Sequence, residues 1–552
     1  MEANKQHIRN NILEQSEKYL VPVFQRNYSW QKKQCDTLLN DIIEAGIKNK
    51  EHYLGNFVLD RKSNNKTFIN ENIIIDGQQR ITTIFLLMKV LRDLSTNDIE
   101  IKQLDEFLFI RKESVSDEPI IKLVLNLEDN KNFISLLKND ETINKKSEIW
   151  INYNYFFNKI SYYLKNDNLF SIKDIINGVN KLVSVMIFIN NNDHPQIIFE
   201  RINSTGIKLT PTDLIRNFLM MKDGYEEKIF RDYWYKMEKD LETKNIELFM
   251  HYFLIYKSEE AIASNKIYES FKDFFKKNNW DREVFLEEML KASQYFSLII
   301  GRQNITNHKF KKIINDFHLL NQKTVYPFLM HIVRDYSDKI ISENTMLNCF
   351  IYIKNYILRR IIVDKSTKNL NKFFANLYAK IFSRFNKKNY QQAIIDYMNE
   401  VDTSDRVPKD FEFMESLKNI NLYRVKASIC NFVLQEIEHN GSKETVSLDK
   451  ISIEHIMPQK LTNEWKTELG EHYKDIHEKY LHKIGNLSLT GYNPDLSNKT
   501  FNEKKRILKE QNSKFTILNK YILESNKWGK LEIEQRTEEL AKTICKIFTI
   551  SL

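Results

Sequence analysis

Helix breakers are scarce in this chain: 552 residues carry only 12 glycines and 8 prolines. A turn-rich all-β protein needs far more, because tight turns draw on the φ freedom of Gly and the fixed φ of Pro. The shortage favours long helices with few interruptions. The length exceeds one ordinary core, so two or three domains are expected. An apolar content of 42% with 35 Phe and 26 Tyr supplies buried cores. The expected fold is α+β and predominantly helical.

Three regions differ in pattern. Up to residue 222 strands and helices mix. Glu71 to Asp76 is a short apolar run ending in Asp76-Gly77-Gln78-Gln79-Arg80, and ITTIFLLMKVLRDL then has helical spacing. SVMIFI from Ser184 is a second strand. Asp193 and Gln196 stand at capping-box spacing ahead of a helix that stops at Gly206. Thr210, Pro211 and Asp213 restart one. From 223 to 420 and a little beyond, segments such as NTMLNCFIYIKNYILRRII place apolar residues at helical intervals, as a helical bundle does. From 421, and most clearly after 441, SIEHIMPQ and GNLSLTG are strand-like, and NPDLSNKTFNEKKRILKEQ is a capped basic helix.

Several classes fall away. Cys35, Cys349, Cys430 and Cys545 form no CxxC pair, which argues against a disulfide framework or a Cys-rich zinc site. The N-terminus lacks a signal-peptide apolar core and no apolar run is long enough to span a bilayer, so the cytoplasm is the expected compartment and no membrane partner is expected. No Gly-x-x-x-x-Gly-Lys-Ser/Thr is present, which excludes a P-loop reading. The net charge of +9 permits a polyanionic partner without establishing one.

Two constellations carry chemistry. A one-metal nuclease needs a base for water, a divalent ion and ligands that leave open positions. A strand, a second strand and a helix can present them in order. Glu454-His455 ends the first strand before Ile456-Met457-Pro458, Gly485-Asn486-Leu487 opens the second, and Asn493 and Asn498 precede a helix with Phe501, Lys504 and Lys505. The two lysines suit either phosphate or a solvated helix face. His472, His477 and His482 are too irregularly spaced for zinc and read as surface or packing residues. At the other end, Asp76 to Arg80 lies where a strand turns into a helix, a place that favours anions. There Gly77 allows close backbone approach and Arg80 offers a fork of donors. Tyr28 and Trp30 either pack the first segment or stack on a base.

The C-terminal pieces resemble the HNH (His-Me finger, ββα-metal) nuclease domain of GmrSD-type and SspE-type modification-dependent restriction enzymes. The pattern there runs Asp-His-x-x-Pro, Gly-Asn-Leu, Asn and Phe-x-x-Lys. Val21 to Trp30, Asp76 to Arg80 and FERINSTGIKLTPTDLIRN resemble the ParB-like N-terminal domain of the same group. The resemblance implies His455 as general base, with Asn486 orienting its imidazole or shaping the loop. It implies Glu454, Asn498 and Asn493 as ligands of Mg²⁺ or Mn²⁺. Glu454 stands where the family has Asp, so a direct, a water-mediated or a lost metal contact are all open. It also implies a nucleoside-triphosphate site (GTP or another NTP) with hydrolysis, built from Gln25, Arg26, Asp76, Gly77, Gln78, Gln79 and Arg80. Asp76 and Arg80 are then catalytic, and Arg201, Asn203 and Gly206 contribute or hold the fold. The implied function is a nucleotide-regulated antiphage endonuclease acting on modified phage DNA. Its alternatives are an NTP-switched DNA-binding protein with a decayed nuclease, or an RNA-cleaving effector. A homo-oligomer stays open. The expected domains are 1–222, 223–420 and 421–552.

Overall fold

The structure, a computed structural model, describes residues 2–62, 69–110, 118–167, 170–189, 198, 209–221, 226–303, 305–441, 451–491, 493–510 and 516–550. The fold is α+β and mostly helical, with one mixed sheet near the N-terminus. Two compact units emerge: Met1–Glu238 with Phe271–Glu287, and Lys239–Ser270 with Glu288–Leu552.

The first unit is built on a six-stranded sheet. Its strands are β1 (Glu2–His7), β2 (Lys18–Leu20), β3 (His52–Lys62), β4 (Glu71–Asp76), β5 (Leu123–Val124) and β6 (Leu182–Ile189), in the order β1-β6-β3-β4-β2-β5. β3 and β4 pair antiparallel, whereas β4 with β2 and β3 with β6 run parallel. Parallel neighbours demand crossovers, and helices α1 (Lys32–Lys48), α2 (Gln78–Leu94) and α3 (Glu148–Asn166) lie within them. α2 is apolar nearly all round, and every residue from Ile81 to Leu91 is buried. That is the pattern of a helix enclosed by its neighbours.

The opposite face of the sheet carries Val58, Ile75, Ile187 and Ile189, packed by Leu214 of α4 (Pro211–Met220). α4 starts as its sequence suggests. Thr210 Oγ1 accepts from Asp213 N at 3.2 Å, Asp213 Oδ2 accepts from Thr210 N at 3.0 Å, and Pro211 takes the first turn. The helix expected between Asp193 and Gly206, with Arg201 and Asn203, lies outside the described residues.

In the second unit α5 (Glu343–Ile362) runs through a helical core, flanked by His308–Leu320 and Tyr326–Ser337. Buried Arg359 of α5 donates to Phe548 O at 2.8 Å and Pro408 O at 3.1 Å, tying that core to the C-terminal segment. After α6 (Ala427–Gly441) come β7 (Ser452–His455), β8 (Leu487–Thr490), α7 (Phe501–Glu510) and α8 (Lys530–Ile547). β7 and β8 pair antiparallel, with His455 opposite Leu487 and Glu454 opposite Ser488.

The basic helix expected behind the capping residues is α7, and a separate single turn, Asn493–Leu496, precedes it. Ser497 has a positive φ of 35°, and Thr500 N donates to Glu503 Oε2 at 3.0 Å, which starts α7 afresh. All four cysteines are buried free thiols. Among the described residues no helix is long and apolar enough to cross a membrane.

Candidate functional site

In the first unit, Asp76, Gly77 and Arg80 sit where β4 turns into α2. Gly77 has φ 103°, and a Cβ there would lie 2.4 Å from the Phe57 ring, so only glycine fits. Arg80 Nη2 donates to Asp76 Oδ2 at 3.1 Å and Nη1 to Leu54 O at 3.2 Å, with the guanidinium 5.1 Å from the Phe57 ring centre.

The glutamines serve the fold. Buried Gln25 donates to Ile75 O at 2.9 Å. Gln78 donates to Arg26 O at 3.0 Å, and Gln79 accepts from Ser29 N at 2.8 Å and Trp30 N at 3.2 Å. Arg26 itself is half-buried. Tyr28 is buried with its hydroxyl 2.7 Å from Thr83 Oγ1, so packing accounts for it. Beside this turn lies an open cleft of about 460 Å³ lined by Trp30, Lys33, Asp41, His52, Tyr53 and Arg80.

In the second unit Asn486 is the structural keystone of the strand–loop–strand. It is fully buried, and both faces of its amide are satisfied. Oδ1 accepts from Met457 N at 2.8 Å and Trp528 Nε1 at 3.0 Å, while Nδ2 donates to Met457 O at 3.0 Å and Leu481 O at 2.9 Å. Two donors on one side and two carbonyls on the other fix the amide orientation. Asn486 therefore shapes the loop after His455 and makes no bond to the imidazole itself.

His455, at the end of β7, is 4% exposed. Its Nε2 lies 3.1 Å from His482 Nδ1, and its Nδ1 lies 3.4 Å from Nε2 of the exposed Gln459. Tyr423 stacks on His482 at 5.4 Å and meets His455 edge-on at 4.7 Å. Burial, helped by His482, Lys504 and His477, pulls His455 down to about 3, so the ring is neutral at physiological pH.

Lys504 of α7 is fully buried. It forms an ion pair with Glu454 and donates to His455 O at 2.8 Å. Burial raises the Glu454 carboxyl while Lys504 opposes that shift, and burial lowers Lys504. Neither reading made for Lys504 from sequence, a phosphate ligand or a solvated face, matches this placement. Lys505 donates to Ser525 O at 2.7 Å.

These contacts bear on the metal. Glu454 is spent on Lys504, Asn498 is exposed after the Ser497 turn, and Asn493 opens a four-residue helix. As arranged, Glu454 and Asn498 present no convergent donor set that fits a divalent ion. Among the described residues no group of three His, Cys, Asp or Glu is placed to hold one.

Residues 9–220 match the family model described as GmrSD restriction endonuclease, N-terminal domain, and residues 407–543 match that for the GmrSD restriction endonucleases, C-terminal domain. The two stretches together span more than half of the chain. The chain belongs to the GmrSD restriction endonuclease family. An uncharacterized protein of Methanocaldococcus jannaschii is 21% identical over 319 residues, 50% of this chain and 53% of that protein. The chain thus spans about half the length of the curated relative it matches.

Every GmrSD candidate named from sequence and described here falls inside a matched stretch, with the β4–α2 turn in the first and the His455–Asn486 pair in the second. Sequence reasoning passed over four residues that complete the second site. His482 reads from spacing as surface or packing, although it stands four residues before Asn486. Tyr423, Trp528 and Arg536 carry no local signal. Arg536 is buried and donates to Gly485 O at 2.6 Å and Leu487 O at 2.8 Å, holding the start of β8.

Proposed function

We propose that this chain is an antiphage DNA endonuclease that cleaves phosphodiesters at its C-terminal strand–strand–helix unit, with His455 as general base. The observation that carries the reading is the His455 imidazole, held neutral at the end of β7 beside a loop clamped by Asn486. A neutral ring has a lone pair for a water proton. Burial leaves that lone pair only weakly basic, at about 3. A phosphodiester drawn against the ring places negative charge beside it, which favours the imidazolium and raises its affinity for the proton as substrate binds. Lys504, through His455 O and Glu454, holds the base on its strand.

The test is strand scission by the purified full chain on plain and phage-modified plasmid, with Mg²⁺, with Mn²⁺ and with chelator, alongside an RNA substrate. Cutting of DNA that His455→Ala abolishes while its circular dichroism is unchanged is the expected result. No scission on any DNA overturns the reading in favour of a decayed nuclease, and preferential RNA cleavage overturns the DNA assignment.

A second reading concerns the cleft by Arg80. Its size suits a small ligand, and Trp30 and Tyr53 offer aromatic faces beside the cation of Lys33. A nucleoside triphosphate is its proposed ligand and regulator of the nuclease. Binding of fluorescent GTP or ATP that weakens at least tenfold in Lys33→Glu and Trp30→Ala supports this, and equal binding by the variants refutes it.

A further inference from the structure

We infer that His482 is a positioning residue that fixes the tautomer of His455, leaving Nδ1, the side toward Gln459, as the basic nitrogen. The inference rests on the nuclease reading above and names which atom of the base acts.

With the Gln459 amide placed as it is, Nε2 toward the ring, the contacts give one tautomer. The NH₂ of Gln459 can only donate, so His455 Nδ1, 3.4 Å away, accepts and carries no proton. A neutral imidazole holds one proton, and an imidazole with both nitrogens bare is an anion. His455 Nε2 is therefore protonated and donates to His482 Nδ1 at 3.1 Å. His482 Nδ1 is in turn bare, and its own proton sits on Nε2. The lowered proton affinity of both rings agrees with two neutral partners.

The partner is held as firmly as the base. Tyr423 lies parallel to His482 at 7°, while the two imidazoles meet near perpendicular at 81°, which aims the Nε2–H of one at the ring edge of the other. The backbone on either side is pinned. Asn486 binds Leu481 O, and Lys483 Nζ donates to Lys418 O at 2.9 Å. Nε2 thus points into the protein and Nδ1 toward the exposed Gln459, where a water and a phosphodiester can approach.

The experiment uses the full chain labelled with ¹⁵N-histidine. Two- and three-bond ¹H–¹⁵N correlations distinguish a protonated from a bare ring nitrogen, and His455→Ala assigns the signals. The expected wild-type pattern is protonated Nε2 and bare Nδ1 at His455. His482→Asn keeps an acceptor oxygen where Nδ1 stood, so it retains both that pattern and cleavage. His482→Leu removes the acceptor, so the pattern becomes mixed. Its kcat falls roughly 10- to 100-fold with KM within about twofold. A protonated Nδ1 in the wild type, or a His482→Leu chain with wild-type kcat, overturns the inference. A wild type with protonated Nε2 but no nuclease activity upholds the histidine pair and overturns the nuclease reading instead.

Discussion

Lys504 and Glu454 face each other with side chains 0% and 5% exposed, a pair that water scarcely screens. Such a pair adds little over an apolar replacement, because both ions have been taken out of water. Removing one member is costly, since the other stays buried and uncompensated. The pair also serves the site, because the same ammonium binds His455 O. Lys504→Met should therefore lower the stability of the second unit by about 3 kcal/mol, and Glu454→Gln by a similar amount. The double variant should recover at least about 1 kcal/mol relative to the sum of the singles. Urea titrations of the four proteins close the cycle, and additive losses would show that the two groups do not interact. The pair was not legible in sequence. Sequence alone makes Glu454 a metal ligand and Lys504 a phosphate ligand or a solvated-face residue because fifty residues separate them, and only the folding of α7 against β7 brings them together.

At the scale of elements, local signals translated well where one segment decides its own shape. The β4–Gly77–α2 turn, the Thr210-Pro211 helix start and the strands SVMIFI and SIEH all form where the chain's periodicity and caps place them. The basic helix likewise forms where its own cap places it, starting at Phe501 behind the Thr500–Glu503 cap. Contacts between elements left no such trace. α1 crosses helix Ile172–Asn180 at Gly46 and Gly178, and a Cβ on Gly178 would come 1.9 Å from the backbone oxygen of Ile42. Alanine improves helix propensity by about 1 kcal/mol over glycine. Backbone atoms cannot step aside as a side chain can, so the clash dominates and the helices must separate, at a cost of roughly 1–3 kcal/mol. Gly178→Ala is expected to be net destabilising in a urea titration followed by far-UV circular dichroism. A stabilised variant would mean that the crossing is looser than this geometry.

Over the whole molecule, the histidines with lowered proton affinity among the described residues share one unit. His318, His331, His455 and His482 belong to the second unit, and burial is the first cause for each. The folded chain keeps them neutral, while in the unfolded chain they titrate near the usual 6.5. Between that value and the lower folded one (about 3 for His455) the unfolded state binds more protons, so stability rises with pH. Their contribution is complete above 6.5 and is lost as pH falls below it, by up to about 1.4 kcal/mol per pH unit for each ring. The carboxyls of Asp316 and Glu454, pushed up by burial, act in the opposite sense, because the folded state takes their protons first. One substitution separates the two effects. His331 stacks on Tyr378 at 4.2 Å, accepts from Arg334 at 3.2 Å, and faces Glu259 at 4.0 Å, with Lys257 and Lys387 adding positive charge nearby. His331→Phe keeps the ring and loses the titration along with the Arg334 bond, so it is less stable than wild type at pH 7.5. Its Tm should nonetheless fall less than the wild type's between pH 7.5 and 5, since the carboxyl contributions are common to both and cancel in the difference. Parallel Tm-against-pH curves for the two proteins would show that His331 is protonated in the folded state despite its burial.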